Sequence, residues 1–317
     1  MLKTPVLFLI FNRPDITKMV FEQIRQAKPQ QLFIAADGPR ANSETDQAQC
    51  LETRHVVETV DWPCKINRLY RSVNLGCKTA VTSSIDWFFE NVSQGIVLED
   101  DCLPTQSFFR FCEELLEYYK ENERIMHITG NNFQFGRKRG KYSYYFSKYS
   151  HIWGWASWRR AWKFYDRDMI QYDQFLKSRK IAEITRNQTE VKYWLDNFNL
   201  VKGNKINTWD FQWVFSIWMR DALVIVPNMN LVKNMGFSAN GTHTTSGNSK
   251  LENMPTGEMQ ELSHPSIVAR DISADRFVYS NILRLSLGQR IRSVFSSMHR
   301  MKQRIKILLP VNPIGHN

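Results

Sequence analysis

The first 130 residues alternate short apolar runs with amphipathic stretches. Each apolar run is uninterrupted, as expected of a strand that is buried on both faces of a parallel sheet. The amphipathic stretches carry apolar side chains at helical spacing, and polar turn residues separate the two kinds of segment. The predicted strands are residues 6–11, 32–36, 64–70 and 95–98, and the predicted helices are residues 15–27, 43–60 and 79–90, the first with Asp15 as its N-cap. This order predicts an α/β fold with a mostly parallel sheet.

The second half of the chain does not repeat this rhythm. It contains a Trp-rich segment at residues 153–162 and a loop-like run of Gly, Ser, Asn, Thr and His at residues 236–247. Apolar spacing predicts strands at residues 142–146 and 223–227 and helices at residues 181–201 and 211–220.

The net charge of +11 is concentrated at the C-terminal end. No acidic residue follows Asp275, whereas eight Lys and Arg residues do. Apolar residues recur every three or four positions between residues 283 and 309, which predicts a basic amphipathic helix. Such a helix either lies on an anionic membrane surface or packs on the body of the protein, and both interpretations stay open. The predicted domains are a main domain over residues 1–265, with halves at 1–130 and 131–265, and a basic helical tail over residues 266–317.

Cysteine usage and the N-terminus indicate a compartment. The five Cys residues form no CxxC pair and no zinc spacing, which favours a reducing environment over a disulfide framework. The N-terminal apolar run is too short for a signal peptide or a transmembrane helix. We therefore expect a cytoplasmic protein, which the basic helix could attach to the inner face of the cytoplasmic membrane.

Three adjacent carboxylates, Glu99, Asp100 and Asp101, follow the apolar run Ile96–Leu98. Ligands of open α/β sheets bind outside the carboxyl ends of strands, so the triplet lies where a site is expected. Like charges this close repel one another and favour a nearby cation, and Mg²⁺ or Mn²⁺ prefers oxygen ligands that it shares with phosphate groups. The alternative is a solvated acidic turn, but the apolar strand that leads into the triplet favours a site.

Polar residues also follow the other predicted strands. Asn12 and Arg13 follow the first strand, Asp37 ends the second, and Asn74 and Gly76 precede a helix whose N-terminal N–H groups suit a phosphate or a sugar hydroxyl. Two of these sets have a simpler explanation. Asp37 would form an Asp-Gly turn, and Asn12 and Arg13 would only begin a loop. Neither a GxGxxG pattern nor a Walker pattern is present.

In this order the motifs resemble those of a GT-A fold glycosyltransferase, specifically the N-acetylglucosaminyltransferase I type with its EDD form of the DxD motif. The resemblance covers about residues 5–245. The segments that carry it are Phe11-Asn12-Arg13, Asp37-Gly38, Asn74-Leu75-Gly76, Glu99-Asp100-Asp101, Gly154-Trp155-Ala156 and Trp209-Asp210.

This resemblance implies an enzyme that uses Mn²⁺ or Mg²⁺ to transfer a sugar from a nucleotide diphosphate, expected to be UDP. The acceptor would be a saccharide or a lipid-linked saccharide, the reaction would invert the anomeric centre, and the product would belong to a cell-surface polysaccharide or glycoconjugate. Residues 1–130 would form the nucleotide-sugar-binding half and residues 131–265 the acceptor-binding half.

The resemblance also implies individual roles at the donor site. Asp37 would contact the nucleotide base, with Arg13 nearby. Glu99 and Asp100 would hold sugar and ribose hydroxyls, and Asp101 would ligate the metal. The remaining predicted nucleotide-sugar-binding residues are Asn12, Asn74 and Gly76.

Asp210 would be the general base that deprotonates the acceptor hydroxyl. The related enzymes carry two adjacent acids at this point, whereas Phe211 follows Asp210 in this chain. Asp196 and Asp221 are therefore alternatives for the base, and a helix-capping role for Asp210 also stays open. His243, in a loop that would close over the diphosphate, is a second candidate metal ligand.

Three tryptophans are candidates for an acceptor platform, because aromatic rings pack on the apolar faces of sugars. They are Trp153, Trp155 and Trp209. Packing in the hydrophobic core explains them equally well.

Three other functions fit parts of the sequence. A sugar nucleotidyltransferase also uses acidic residues and Mg²⁺, but it needs a Gly-rich basic loop where this chain has Asn-Arg-Pro after its first strand. A non-catalytic polysaccharide-binding protein would use the aromatic residues alone. Nucleic-acid binding needs basic and aromatic residues interleaved on one face, and only residues 137–145 offer them, so no nucleic-acid partner is expected.

Overall fold

The computed structural model describes residues 1–237 and 249–284. The strands in these ranges are β1 Val6–Ile10, β2 Gln31–Ala36, β3 Lys65–Tyr70, β4 Gln94–Glu99, β5 Cys102–Pro104, β6 Ile125–Thr129, β7 Tyr144–Ser147, β8 Trp155–Trp158, β9 Leu223–Pro227 and β10 Val232–Asn234.

The helices in the same ranges alternate with the first strands and then follow one another. They are α1 Pro14–Ala27, α2 Asp46–Val56, α3 Gly76–Asn91, α4 Gln106–Tyr118, α5 Arg159–Trp162, α6 Tyr172–Lys177, α7 Lys180–Thr185, α8 Gln188–Lys202, α9 Asp210–Met219, α10 Ser249–Glu252 and α11 Ile272–Val278, which a π-helical turn, Tyr279–Leu283, continues.

An eight-stranded mixed sheet in the order β3-β2-β1-β4-β8-β6-β9-β7 forms the centre of the fold. The four strands at the β3 end are parallel, and the intervening helices α1, α2 and α3 make the crossovers. β8 runs antiparallel between β4 and β6, and β6 pairs in parallel with β9. The predicted α/β class and its mostly parallel sheet are confirmed, and both predicted halves of the main domain contribute strands to one sheet.

Two hydrophobic cores lie on opposite faces of this sheet. Along β1, Val6, Phe8 and Ile10 enter one core, while Leu7 and Leu9 enter the other. Helices α1 and α4 cover the first face, and α3, α8 and α9 cover the second. A strand buried on both faces needs apolar residues at every position, which is why β1 reads as an uninterrupted apolar run.

The start of α1 differs from the prediction. Arg13 occupies the N-cap position and Pro14 opens the helix, where its fixed φ angle and missing N–H are favourable. Asp15 lies in the first turn, where a carboxylate interacts well with the helix dipole.

The predicted helix over residues 181–201 is two helices, α7 and α8. Arg186 ends α7 in a left-handed conformation, with a φ angle of 54°. Asn187 then caps α8, because its side-chain oxygen accepts hydrogen bonds from the N–H groups of Thr189 and Glu190. A polar cap inside an apolar pattern accounts for the interruption.

The beginning of the predicted tail packs on the body of the protein. Asp275, on α11, is buried and accepts hydrogen bonds from Ser147 on β7 and from Arg270. Beside this pair, the Lys148 side chain and the Tyr149 hydroxyl both donate to the buried Glu190 carboxylate. The basic helix predicted over residues 283–309 and the loop predicted over residues 236–247 lie almost entirely outside the described residues.

Two compositional expectations can be compared with the structure. All five cysteines are free thiols, as expected of a chain without a disulfide framework. Within residues 1–237 and 249–284, no helix is both long enough and apolar enough to cross a membrane.

Candidate active site at the strand switch point

The strand order reverses direction between β1 and β4, and a cavity of about 450 Å³ lies at the carboxyl ends of these strands. The chain adds β2 and β3 on one side of β1 and then returns to place β4 on the other side. The connections on either side of this point diverge and leave a crevice, which is where open α/β sheets bind ligands. The fold therefore puts the residues that follow β1, β2 and β4 around one cavity.

Arg13 links the end of β1 to the acid triplet at the end of β4. Its Nη1 donates to Oδ2 of Asp101 at 3.1 Å, and its Nη2 donates to Oδ1 of Asp100. The backbone N–H of Phe11 donates to the other oxygen of Asp100 at 3.2 Å. Burial works against the charge of Arg13, but Asp100 and Asp101 outweigh it and raise its pKa.

The acid triplet is electrostatically crowded. Burial, together with the nearby charges of Asp101 and Asp100, raises the pKa of Glu99 to about 8. Burial also raises the pKa of Asp100 to about 6, although Arg13 opposes the shift. Burial is the largest cause for both groups, and a cation bound nearby would favour their ionised forms.

The whole lining of the cavity contains more acidic than basic side chains. The carboxyl side chains that line it are Asp37, Glu99, Asp100, Asp101 and Asp210, and the guanidinium side chains are Arg13, Arg40 and Arg71. Among the described residues the carboxyl groups thus outnumber the guanidinium groups by two. A cation bound in the cavity would favour the ionised forms of these carboxyl groups.

Asp101 is enclosed by the strand pair β5–β10. The N–H of Met235 donates to the carbonyl oxygen of Asp101 at 2.7 Å, and Gly236 packs directly on its side chain. A Cβ atom at Gly236 would lie 2.5 Å from Oδ2 of Asp101, so only glycine fits at this position without movement. Within the described ranges, no three His, Cys, Asp or Glu side chains form a group that could hold a metal by themselves. A cation at Asp101 would therefore need ligand or water oxygens to complete its coordination.

Asp37 organises the turn before α3. Its carboxylate accepts hydrogen bonds from the N–H groups of Gly38, Leu75 and Gly76 at 2.9 to 3.2 Å, and from the side-chain amide of Asn74 at 3.0 Å. This arrangement brings together three residues predicted for nucleotide-sugar binding: Asp37, Asn74 and Gly76. The turn also occupies both oxygens of the Asp37 carboxylate, which the resemblance assigns to binding of the nucleotide base.

Asn12 does not line the cavity. Its amide donates to Oδ1 of Asp46 at 2.9 Å, behind the loop that follows β1. Asp46 is fully buried, and Arg40 also donates to both of its oxygens. The hydrogen bonds from Arg40 lower the pKa of Asp46 well below its usual range. Asn12 therefore fixes the loop that carries Arg13, and its effect on the cavity is indirect.

Asp210 lies at the first position of α9 and lines the same cavity as the acid triplet, where its charge contributes to the raised pKa of Glu99. The hydroxyl of Thr208 donates to its Oδ1. The two alternatives for a base lie elsewhere: Asp196 pairs with Lys192, and Asp221 with Lys180, and neither acid lines the cavity. Of the three acids considered for the base, the structure brings only Asp210 to the site.

The three candidate platform tryptophans occupy different environments. Trp153 is partly exposed and lines the cavity, with its ring edge-on to Phe237 at 5.5 Å. Trp209 also borders the cavity but is almost completely buried. Trp155 does not line the cavity: it is fully buried on β8 and stacks on His127 at 5.1 Å. The core interpretation therefore holds for Trp155. His243 lies outside the described residues.

Several lining residues were not predicted. Arg71 follows β3, Cys77 lies at the start of α3, Asn207 and Thr208 precede α9, and Asn234 ends β10. The rule that pointed to the ends of β1, β2 and β4 also points to Arg71, since β3 itself was predicted. The other four carry no pattern that distinguishes them from ordinary loop residues.

Comparison with known proteins does not name the family. The sequence matches no family model and no curated protein. Similar solved structures include HddC from Yersinia pseudotuberculosis, at 8% identity and a TM-score of 0.31 over 52% of this chain and 81% of that chain. A 4-diphosphocytidyl-2C-methyl-D-erythritol synthase from Anaerococcus prevotii aligns at 7% identity and a TM-score of 0.31, covering 55% of this chain and 77% of its own.

A third similar structure is an apo UDP-glucose pyrophosphorylase, at 10% identity and a TM-score of 0.37 over 72% of this chain and 90% of that chain. None of the three is named as a glycosyltransferase, so the resemblance to the N-acetylglucosaminyltransferase I type stays an expectation. At identities of 10% or less and TM-scores this low, the three similarities assign no activity to the chain.

Proposed function

We propose that the protein is a metal-dependent glycosyltransferase that moves a sugar from a nucleotide diphosphate, with UDP as the expected nucleotide, to a saccharide acceptor. One observation carries this proposal: the cavity at the strand switch point has an excess of carboxyl groups, and both Asp101 and Asp210 line it. The first group suits a cation and a diphosphate, and the second suits an acceptor hydroxyl.

The residues present fit Mn²⁺ or Mg²⁺. Asp101 has a partly exposed carboxylate on the cavity wall, where it pairs with Arg13 and lies among other carboxyl groups. Hard cations of this kind are held by one or two carboxylates plus phosphate and water oxygens, so a full set of protein ligands is not required. When bound, the cation would neutralise charge on the departing diphosphate.

The residues of the chain would divide the remaining work. Asp210 would take the proton from the acceptor hydroxyl as the acceptor oxygen bonds to the anomeric carbon. The bond between that carbon and the diphosphate oxygen breaks on the opposite face, and the nucleoside diphosphate leaves. Thr208, which donates to Oδ1 of Asp210, holds the carboxylate in place and leaves its second oxygen for the acceptor.

The acceptor would enter beside Trp153, whose ring forms part of the cavity wall. A saccharide can stack its apolar face on such a ring. A lipid-linked saccharide fits the basic C-terminal segment, which would bring the enzyme to an anionic membrane surface.

Thermal unfolding with a panel of nucleotides tests the proposal. UDP, GDP, CDP and TDP are each added with Mn²⁺ or with EDTA, because a ligand that binds only the folded state raises the melting temperature. We expect a Mn²⁺-dependent rise of a few degrees with one of them. Asp101→Ala should abolish that rise, whereas Asp196→Ala, on an exposed helix surface away from the cavity, should retain it.

The same experiment separates the alternatives. Stabilisation by a nucleoside triphosphate and Mg²⁺, together with release of pyrophosphate from a sugar 1-phosphate mixture, would replace the proposal with a sugar nucleotidyltransferase. Stabilisation by oligosaccharides alone, with no nucleotide effect, would replace it with a polysaccharide-binding protein.

A further inference from the structure

Arg71 is a cavity-lining cation whose position is fixed by neutral partners. It follows β3, and its backbone N–H donates to the carbonyl oxygen of Ala36 at 3.0 Å, at the end of β2. Its Nη1 donates to Oγ of Ser84 at 3.1 Å, and its Nη2 donates to Oγ of Ser83 at 2.8 Å. Both serines lie on α3, so the guanidinium is held between the sheet edge and this helix.

A second arginine holds the backbone at this point. The Nη2 of Arg54 donates to the carbonyl oxygen of Arg71 at 2.7 Å and to that of Asp37 at 3.1 Å. Arg54 thereby joins the ends of β2 and β3. The central carbon of its guanidinium lies over the ring of Tyr70, 5.1 Å from the ring centroid. Protein hydrogen bonds alone therefore hold the backbone and the side chain of Arg71 in place.

Arg71 differs from the other two cavity arginines in its charge environment. Arg13 pairs with Asp100 and Asp101, and Arg40 pairs with Asp46. No carboxylate of residues 1–237 or 249–284 forms an ion pair with Arg71, and the segments 238–248 and 285–317 contain no Asp or Glu.

The charge of Asp37 does not neutralise Arg71. Burial lowers the pKa of Arg71, and the charge of Asp37 opposes this shift only in part. The oxygens of Asp37 are themselves occupied by the turn before α3. A half-buried guanidinium without a counter-charge favours an anionic ligand, because its desolvation is then compensated.

We propose that Arg71 binds an anionic oxygen group of the donor, which is either a phosphate of the nucleotide or a carboxylate on the transferred sugar. A guanidinium has five N–H donors, and the two serines use two of them, so a fork remains for a planar or tetrahedral anion. This inference rests on the proposed function, since it assumes a nucleotide-sugar in the cavity.

Isothermal titration calorimetry with Mn²⁺ distinguishes the two sources of the anion. The ligands are UDP, UDP-glucose and UDP-glucuronate, and the proteins are wild type, Arg71→Gln and Arg71→Lys. If Arg71 binds phosphate, Arg71→Gln weakens the binding of all three ligands by about 10- to 100-fold. If it binds a sugar carboxylate, only the affinity for UDP-glucuronate falls by that factor. Arg71→Lys should lose less in either case, because it keeps the charge but not the fork.

Arg68→Gln is the matched control. Arg68 lies on β3, the strand that Arg71 follows. It is partly exposed and pairs with Glu58 outside the cavity, so its replacement should leave all three affinities unchanged. Unchanged affinities in a folded Arg71→Gln would overturn the inference. If that variant does not fold, Arg71→Lys decides: affinities equal to those of wild type for all three ligands count against a bidentate anion site.

Failure of the proposed function gives a different result. In that case the wild type binds none of the three nucleotides with Mn²⁺. The anion site is then tested with sodium pyrophosphate in the absence of metal: a rise in melting temperature that Arg71→Gln abolishes supports the site, and no rise in either protein rejects it.

Discussion

Two regions of the molecule bury charged side chains, and they differ in how the charges are balanced. In the network between β7, α8 and α11, Lys148 faces Glu190 and Arg270 faces Asp275, so each cation has its own carboxylate. At the strand switch point, carboxyl groups exceed guanidinium groups, while Arg71 has no carboxylate partner among the described residues.

The difference distinguishes charged side chains that stabilise the fold from charged side chains that are available to a ligand. Burying a charge is costly unless it is paired, and the network between β7, α8 and α11 meets this requirement from within the chain. The cavity does not, and a bound divalent cation would offset part of its excess of carboxyl groups. A balanced cluster should therefore control stability, and an unbalanced one should control ligand binding and turnover.

The largest expected effect is on catalysis. Asp210→Asn keeps the shape of the side chain and removes its ability to take a proton, so turnover should fall by about 10²- to 10⁴-fold. The measurement is release of nucleoside diphosphate from the donor identified by thermal unfolding, with the melting temperature followed in parallel. Asp196→Asn, outside the cavity, is the control. A variant at Asp210 that kept wild-type turnover would remove the base from the mechanism.

The next effect concerns stability in the balanced network. Glu190→Gln leaves Lys148 without its counter-charge in a buried position, where burial already lowers its pKa to about 8 against the opposing effect of Glu190. Loss of one partner of a buried pair costs about 3–5 kcal/mol of unfolding free energy. Urea unfolding measures this change. Affinity for the nucleotide should stay at the wild-type value. A loss of affinity with unchanged stability would show that the network between β7, α8 and α11 controls ligand binding rather than stability.

The corresponding change in the cavity should have the opposite sign. The raised pKa of Glu99 means that its carboxyl group destabilises the folded chain at neutral pH, so without metal Glu99→Gln should be more stable than the wild type by about 1–2 kcal/mol. Urea unfolding in EDTA measures the difference. Mn²⁺ and nucleotide should then stabilise the wild type more than the variant. If the variant is the less stable protein in EDTA, the carboxylates are not in excess.

A neutral buried group provides the smallest and most general test. His127 is fully buried, its Nδ1 accepts a hydrogen bond from Trp213, and its Nε2 donates to the carbonyl oxygen of His151 at 3.0 Å. Burial lowers its pKa to about 3, so between pH 6.5 and 3 the unfolded chain binds a proton that the folded chain does not. The stability that this residue contributes is complete above pH 6.5 and is lost as the pH falls.

Unfolding free energy measured at pH 7, 6 and 5 tests this prediction. The expected slope from His127 approaches about 1.4 kcal/mol per pH unit below pH 6.5. His127→Gln should reduce the slope, and replacing the exposed His55 by Gln should not. Parallel pH profiles for wild type and His127→Gln would show that burial alone does not keep this side chain neutral.

The parallel part of the fold was predictable because its signal is local. β1, β2 and β4 are apolar runs followed by polar residues, and helical spacing marks the connections between them. β8 gave no such signal: its four residues include Ser157 and form no continuous apolar run, and its pairing partners are distant in sequence. Its position between β4 and β6 follows only from the assembled sheet.

The candidate site was predictable to the same extent. Strand ends pointed to Asp101 and to Asp37, but sequence does not show that the oxygens of Asp37 are taken up by a turn formed 37 to 39 residues later. The tryptophans were ambiguous for a physical reason. A ring that stacks on a sugar and a ring that fills a core have the same chemistry, and only burial separates Trp153 from Trp155.

The insertion of β8 between β4 and β6 also sets an order of events during synthesis. Once residue 99 has left the ribosome, β1 to β4 can pair with one another. β4 then keeps one open edge, because its other neighbour is made only at residues 155–158. An open edge is a template for pairing with other chains, and nascent chains in this interval are the ones that chaperones would have to protect. The yield of native protein should therefore depend on how quickly translation passes through this interval.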